Sequence, residues 1–382
     1  MIELSSEDNL RLNVLLANRP QAIRIDESRL QVHGLSERGE ACINLKPTAR
    51  PEVYLRAVRE LISGYILGSP GGYPTYLRRW TRMGQMRDES LAQLLLLGEP
   101  EAVVAAVCSP GLTDELGRRA WWAMEDAENA RRMLGNPAIV QGRMGPILAD
   151  YLAEYLPFET ETEKMAESVR LILQPGLIDD QRAQDIWRKS TRRPAYALGF
   201  LQARPDGLPD PAPARADFAD LAPRMEPLFQ ADNPWADALA RVLSSPGQTW
   251  LRTVAQVLAK PTTQELVLTT LETTAAYFTS LRPEGRPDLP LEALLAEAEA
   301  YPSSEPAGAA LNACLARMPT LREEFVAMRL LSGLGYGVLR PVLRDTTASG
   351  SLLRRKLEPV LEPILRGLAT LRGASASGRS SP

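Results

Sequence analysis

From Glu52 onward, apolar residues recur at three- and four-residue spacing in short runs, and every run is cut by a break rich in Pro, Gly, Asp or Asn. In "EVYLRAVRELISGYIL" the apolar positions are Leu55, Val58, Leu61, Ile62, Tyr65 and Ile66, the period of an amphipathic helix. The runs "DESLAQLLLLG", "EPEAVVAAVCS", "TDELGRRAWWAM", "AENARRMLG", "RMGPILADYLAEYL" and "EKMAESVRLILQ" follow with little between them. Helices joined so tightly must pack on their sequence neighbours. The expected fold is therefore mainly α, an irregular HEAT-like array of helical hairpins.

Only the N-terminal region departs from this period. Ser5 or Ser6 caps a first helix, with Asp8 near its positive end. The runs "AIRID" (22–26), "RLQVHGL" (29–35) and "EACINL" (40–45) then alternate apolar and polar residues, the period of half-buried strands. They predict a small three-stranded element, turned through "SERG". Pairing apolar sides sets Val32 against Ile43, Leu30 against Leu45 and Gly34 against Ala41. That register places Cys42 opposite His33 on the more polar face. Opposed side chains have Cβ atoms ~5 Å apart, so the imidazole can activate the thiol. Cys42 and His33 are the candidate reactive pair; the competing reading is a chance pair with no chemistry.

Four Pro-Gly corners punctuate the chain: "LGSPGGYP", "CSPGLTDELGRRAWW", "LQPGLIDDQRAQDIW" and "SSPGQTW". The second and third superpose at a 65-residue offset, matching Pro110 with Pro175, Gly111 with Gly176, Asp114 with Asp179 and Trp122 with Trp187. Their structural reading is a helix stop followed by a cap, with the Trp packed back on the preceding helix. Their functional reading is a basic strip, because Arg78, Arg79, Arg82, Arg118, Arg119, Arg131, Arg132, Arg188, Lys189, Arg192 and Arg193 follow the corners. Such a strip would suit an acidic protein or RNA. A solvated face opposite the chain's 47 acidic residues explains it equally.

Composition removes several classes of function. The net charge of −3 gives no global attraction to nucleic acid or an anionic membrane. No apolar run of ~20 residues spans a bilayer. One histidine, and three cysteines far apart in sequence, leave little for a metal site or a Ser-His triad. No phosphate-binding, dinucleotide or metalloprotease motif occurs, so no cofactor or metal is expected. The acidic opening "MIELSSEDNL" lacks a signal-peptide pattern, and a cytoplasmic location is expected.

The expected organisation is an N-terminal helix and small sheet at 1–47, a helical array at 48–202, a proline-rich connector at 203–227, a second helical region at 228–373 and a disordered tail at 374–382. The connector reading rests on Pro205, Pro209, Pro211, Pro213, Pro223 and Pro227, a density at which no ordinary helix is expected.

The stretches "EDNLRLNVLLANRPQAIRIDES", "YLRAVRELISG", "LGSPGGYPTYLRRWTRMGQ", "LLLLGEPEAVVAAV" and "PGLTDELGRRAWWAM" resemble the DsrS family. These are accessory proteins encoded with the dissimilatory sulfite reductase genes of sulfur-oxidising bacteria. The resemblance continues through "SVRLILQPGLI". It implies a cytoplasmic protein tied to sulfur oxidation and carries over no catalytic residue. The expectation is a non-enzymatic accessory or scaffold protein that contacts protein partners of the sulfite reductase system. The alternatives are a sulfur-handling carrier or enzyme using Cys42, and an RNA-binding regulator using the arginine face.

Overall fold

Ser5 starts the first helix, its hydroxyl accepting the Asp8 N–H at 3.1 Å. The helix, α1, spans Ser6–Ala17 and buries Leu12, Leu15 and Leu16. The computed structural model describes residues 4–74, 88–304, 308–344 and 350–373. Arg78, Arg79 and Arg82, and the tail at 374–382, lie outside the described residues.

Three antiparallel strands follow in the order β1-β2-β3: β1 (Ala22–Asp26), β2 (Gln31–Ser36) and β3 (Gly39–Asn44). Val32 pairs with Ile43, Gly34 with Ala41 and His33 with Cys42, the register that the alternating apolar residues dictate. A two-residue turn at Glu37 and Arg38 is closed by the Ser36–Gly39 pair, with Gly39 at φ +113°. Most side chains would strain there. Helix α2 (Pro51–Leu67) joins α1 on the apolar face of the sheet. Ile23, Val32 and Ile43 pack there with Leu15, Leu16, Tyr54 and Val58. Asp8 is wholly buried in this core. It accepts the Tyr54 hydroxyl at 2.5 Å and the Lys46 N–H at 2.8 Å, which locks α1 to the chain beyond β3.

The remaining elements are helical, so the protein is mainly α with one small N-terminal sheet among the described residues. The chain divides into two compact units, Met1–Pro157 with Gln174–Ile178, and Phe158–Leu173 with Asp179–Pro382. In the first unit come α3 (Asp88–Leu94), α4 (Pro100–Val107), α5 (Asp114–Ala123), α6 (Ala127–Leu134), α7 (Pro137–Val140) and α8 (Met144–Tyr155). Helix α5 packs against β1. The second unit holds α9 (Thr162–Ile172), α10 (Asp180–Lys189), α11 (Pro194–Ala203), α12 (Phe218–Phe229), α13 (Pro234–Leu243), α14 (Ser245–Ala259) and α15 (Gln264–Tyr277). It continues with α16 (Leu291–Ala300), α17 (Gly308–Arg317), α18 (Arg322–Ser332), α19 (Tyr336–Leu343) and α20 (Gly350–Leu371). Neighbours pack pairwise, as α9 on α11, while α20 also returns onto α14 and α18. No helix among the described residues is long and apolar enough to cross a membrane.

The proline-rich stretch 203–227 is not a connector between two helical regions, because it lies inside the second unit. Its extended half is stitched to neighbouring helices. The Ala212 N–H donates to the Thr249 hydroxyl at 2.8 Å, and the Arg215 N–H to the Leu243 carbonyl at 2.9 Å. Nor does the proline density prevent a helix, since α12 runs through Pro223 and Pro227. The two prolines are four residues apart and both face solvent, opposite the buried Leu221, Met225 and Leu228. Their missing N–H groups therefore fall on the wet side, where water satisfies the freed carbonyls.

The Pro-Gly corners also differ from one another. Gly176 is left-handed at φ +81°, and Thr113 and Asp179 each cap the following helix. Gly247 instead lies inside the first turn of α14, where a Cβ would stand 2.0 Å from the Arg241 carbonyl oxygen. Trp187 packs on Phe200 of α11, at 5.1 Å between ring centroids. It thus covers the following helix.

Candidate functional site

The hydrogen-bond pattern of the small sheet explains why His33 and Cys42 meet. The Ile23 N–H points away from β2, donating to the Leu95 carbonyl at 2.9 Å. Arg24 and His33 are therefore a hydrogen-bonded pair, and alternation makes Val32–Ile43 and Gly34–Ala41 the bonded pairs between β2 and β3. The Leu45 N–H to Leu30 carbonyl bond at 2.9 Å follows the same alternation. His33–Cys42 is then a non-hydrogen-bonded pair, the type with Cα atoms only ~4.5 Å apart and side chains closest. Cys42 Sγ lies 3.9 Å from His33 Nε2.

Around this pair the polar face of the sheet carries a connected cluster. His33 Nδ1 is 2.7 Å from Glu40 Oε1. Trp122 Nε1, at the end of α5, donates to Glu40 Oε2 at 3.2 Å. Arg24 donates to Glu40 Oε1 at 3.3 Å and to the Trp122 carbonyl at 3.3 Å, with its guanidinium 5.0 Å from the Trp122 ring centre. Burial pushes the Glu40 carboxyl up, but the hydrogen bonds from Trp122 and His33 and the charge of Arg24 outweigh it, leaving the group below its ordinary range. Glu40 is thus ionised at neutral pH and can only accept, so His33 must donate from Nδ1. In the neutral imidazole this leaves the Nε2 lone pair facing the thiol. The His33 side chain is 14% exposed, and Cys42 is exposed.

The same alternation turns the N–H and C=O groups of Glu40, Cys42 and Asn44 off the open edge of β3. Beside that edge a groove of about 1180 Å³ runs between α1 and β3; Leu10, Val14, Leu15, Ala41 and Ile43 line it together with Arg11, Arg19, Glu37, Arg38 and Glu40, so its walls are more polar than apolar. Leu10 and Val14 are 67% and 54% exposed on its rim.

The predicted arginine strip resolves differently. Arg118 and Arg119 both bind Glu115, at 2.7 and 2.9 Å. Arg188 binds Asp185 at 2.8 Å. Arg131 is buried beside Glu128, and Arg132 binds that same carboxylate at 3.0 Å. Arg193 donates to the Glu159 carbonyl and covers the Tyr196 ring, while Lys189 and Arg192 are exposed. Most of the described arginines of the strip are therefore paired with acids or packed within their own unit, which removes charge from any phosphate-binding role.

Sequence reasoning missed the partners of His33. Glu40 was read only as part of a strand, and Arg24 and Trp122 only as members of their elements. It also missed a buried ion cluster in the second unit. Arg282 and Arg329 are 5% and 3% exposed and converge on Glu297, with Arg282 at 2.9 Å and Arg329 at 2.6 Å. Arg329 also pairs with Glu284, donates to the Leu281 carbonyl at 2.7 Å and lies 3.7 Å from the Tyr301 ring centre. The available signal was Arg329 itself, a charge set within the apolar run "FVAMRLLSGLG". Among the described residues no three His, Cys, Asp or Glu side chains converge to hold a metal ion.

No family model matches this chain, and neither the curated proteins nor the solved structures compared with it give a match.

Proposed function

We propose that this protein is a non-catalytic accessory protein of cytoplasmic dissimilatory sulfur oxidation, holding a protein partner of the sulfite reductase system. The observation that supports a binding role is the open edge of β3 beside the apolar rim of Leu10 and Val14. An extended segment of a partner adds to such an edge through its backbone, and its alternate side chains enter the adjoining groove, apolar ones against Leu10 and Val14 and polar ones against the charged remainder of the lining. The choice of partner rests on the sequence resemblance to the DsrS accessory proteins. Paired arginines favour this reading over RNA binding.

The test is crosslinked capture from a sulfur-oxidising bacterium grown on reduced sulfur, comparing the native chain with a Leu10→Glu/Val14→Glu double variant. Both side chains are exposed, so the variant should fold normally. Each apolar side chain buried in a complex contributes roughly 1.5–3 kcal/mol, so recovery of sulfite reductase proteins should fall more than about tenfold. Recovery of none by the native chain, or equal recovery by the double variant, overturns the proposal.

A further inference from the structure

We propose that Cys42 is a thiol–disulfide exchange site, with His33 as its base and Glu40 as the residue that positions the imidazole. This goes beyond the accessory role and does not depend on it, because it rests on the β2–β3 pair alone. Three features carry it. The register brings Cys42 and His33 together as a close pair, with Sγ 3.9 Å from Nε2. Glu40 fixes the ring from its other nitrogen at 2.7 Å and is itself held by Trp122 and Arg24. The thiol is open to solvent at the sheet edge, whereas Cys314 is wholly buried.

The reactant class is a disulfide, R–S–S–R, from a small molecule or peptide. His33 Nε2 takes the proton from the Cys42 thiol, and the sulfur attacks one sulfur of the disulfide. A Cys42–S–S–R bond forms as the original S–S bond breaks. Its electron pair leaves with the departing R–S⁻, which recovers the proton from the imidazolium as R–SH. Cys42 is oxidised to a mixed disulfide, one R–S group is reduced to a thiol, and no other oxidant is required. A disulfide suits the site better than an acyl substrate because exchange at sulfur needs no separate oxyanion hole. The product is a stoichiometric modification, placed where the backbone of β3 is unpaired.

Cys108 is also exposed and has no counterpart of His33, so it serves as an internal reference. The full chain is treated with oxidised glutathione, and mixed disulfides are mapped by mass spectrometry over time. Cys42 should react at least about tenfold faster than Cys108. In His33→Asn the Cys42 to Cys108 ratio should fall to near one, while the Cys108 rate stays unchanged. The native ratio should depend on pH, and in His33→Asn it should not. The charged groups facing His33 are Arg24 and Glu40. Glu40→Gln keeps the base but loses its anchor, and should lower the ratio part-way and displace its pH profile. Equal native rates at Cys42 and Cys108, or a ratio that survives His33→Asn, overturn the proposal.

Discussion

The two polar clusters use the same residue types to opposite ends. In the second unit, Arg282 and Arg329 are sealed among α16, α18 and the segment between α15 and α16, and their donors are met by Glu297, Glu284, Ser332 and backbone carbonyls. On the sheet of the first unit, Arg24 and Glu40 stay at the surface over a largely covered His33, and the chain of contacts ends on an exposed thiol that, among the described residues, has no hydrogen-bond partner beyond His33. A closed network fixes structure. An open one leaves a group free to react, and surface exposure keeps its energetic contribution small. The comparison therefore predicts that the buried cluster matters for stability and the exposed cluster for chemistry.

The strongest way to break this contrast is Arg329→Met. The variant keeps apolar bulk but strips Glu297 of one of its two arginines and leaves the Leu281 carbonyl without its donor. Breaking a buried ion pair by removing one partner costs about 3–5 kcal/mol. The lower end is expected here, because Arg282 remains and Glu297 is partly exposed. Protection of α18 amides against hydrogen exchange should fall accordingly, and this measure does not require the two units to unfold together. A loss below about 1 kcal/mol would mean that the cluster is not structural.

How far each cluster was legible follows from the distances involved. The His33–Cys42 pairing could be read because alternating apolar residues fix the register of a local hairpin. Glu40's role could not, since it depends on Trp122, 82 positions away. Arg282 and Arg329 are 47 residues apart, and an arginine is ordinarily assigned to the surface. Helix α12 was hidden by its own prolines, because their count suggests an extended chain. Only their four-residue spacing, opposite Leu221, Met225 and Leu228, shows that one face can absorb both.

The matching prediction for the exposed cluster is a small effect. Glu40→Gln loses the ion pairs to Arg24 and His33, yet the Glu40 side chain is 41% exposed. Exposed pairs contribute about 0.2–1 kcal/mol. Amide protection of β2 and β3 should change by less than about 1 kcal/mol, in the same variant whose exchange rate at Cys42 falls. A large loss of protection would make Glu40 a structural residue and dissolve the contrast with Glu297.

The smallest effect sharpens the same contrast through pH. Glu115 belongs to an exposed network like that of Glu40: the Arg118 hydrogen bond, and behind it Arg119, lowers its carboxyl to about 2 against the opposing push of burial. A carboxyl depressed in the folded state stabilises the fold above its unfolded value of ~4.3, and that contribution fades as pH falls toward the folded value. Because the Glu115 side chain is half exposed, screening limits the contribution to under about 1 kcal/mol. Glu115→Gln should therefore lower α5 amide protection slightly at neutral pH and flatten its acid limb between about pH 4.3 and 2, where the two proteins converge. In the buried cluster burial pushes two carboxyls, Glu297 and Glu284, up, yet Arg282 and Arg329 hold both below their ordinary range, so two protons rather than one are taken up as pH falls and the acid limb of α18 should be steeper than that of α5. If the two limbs have equal slope, Glu284 and Glu297 do not act together on α18.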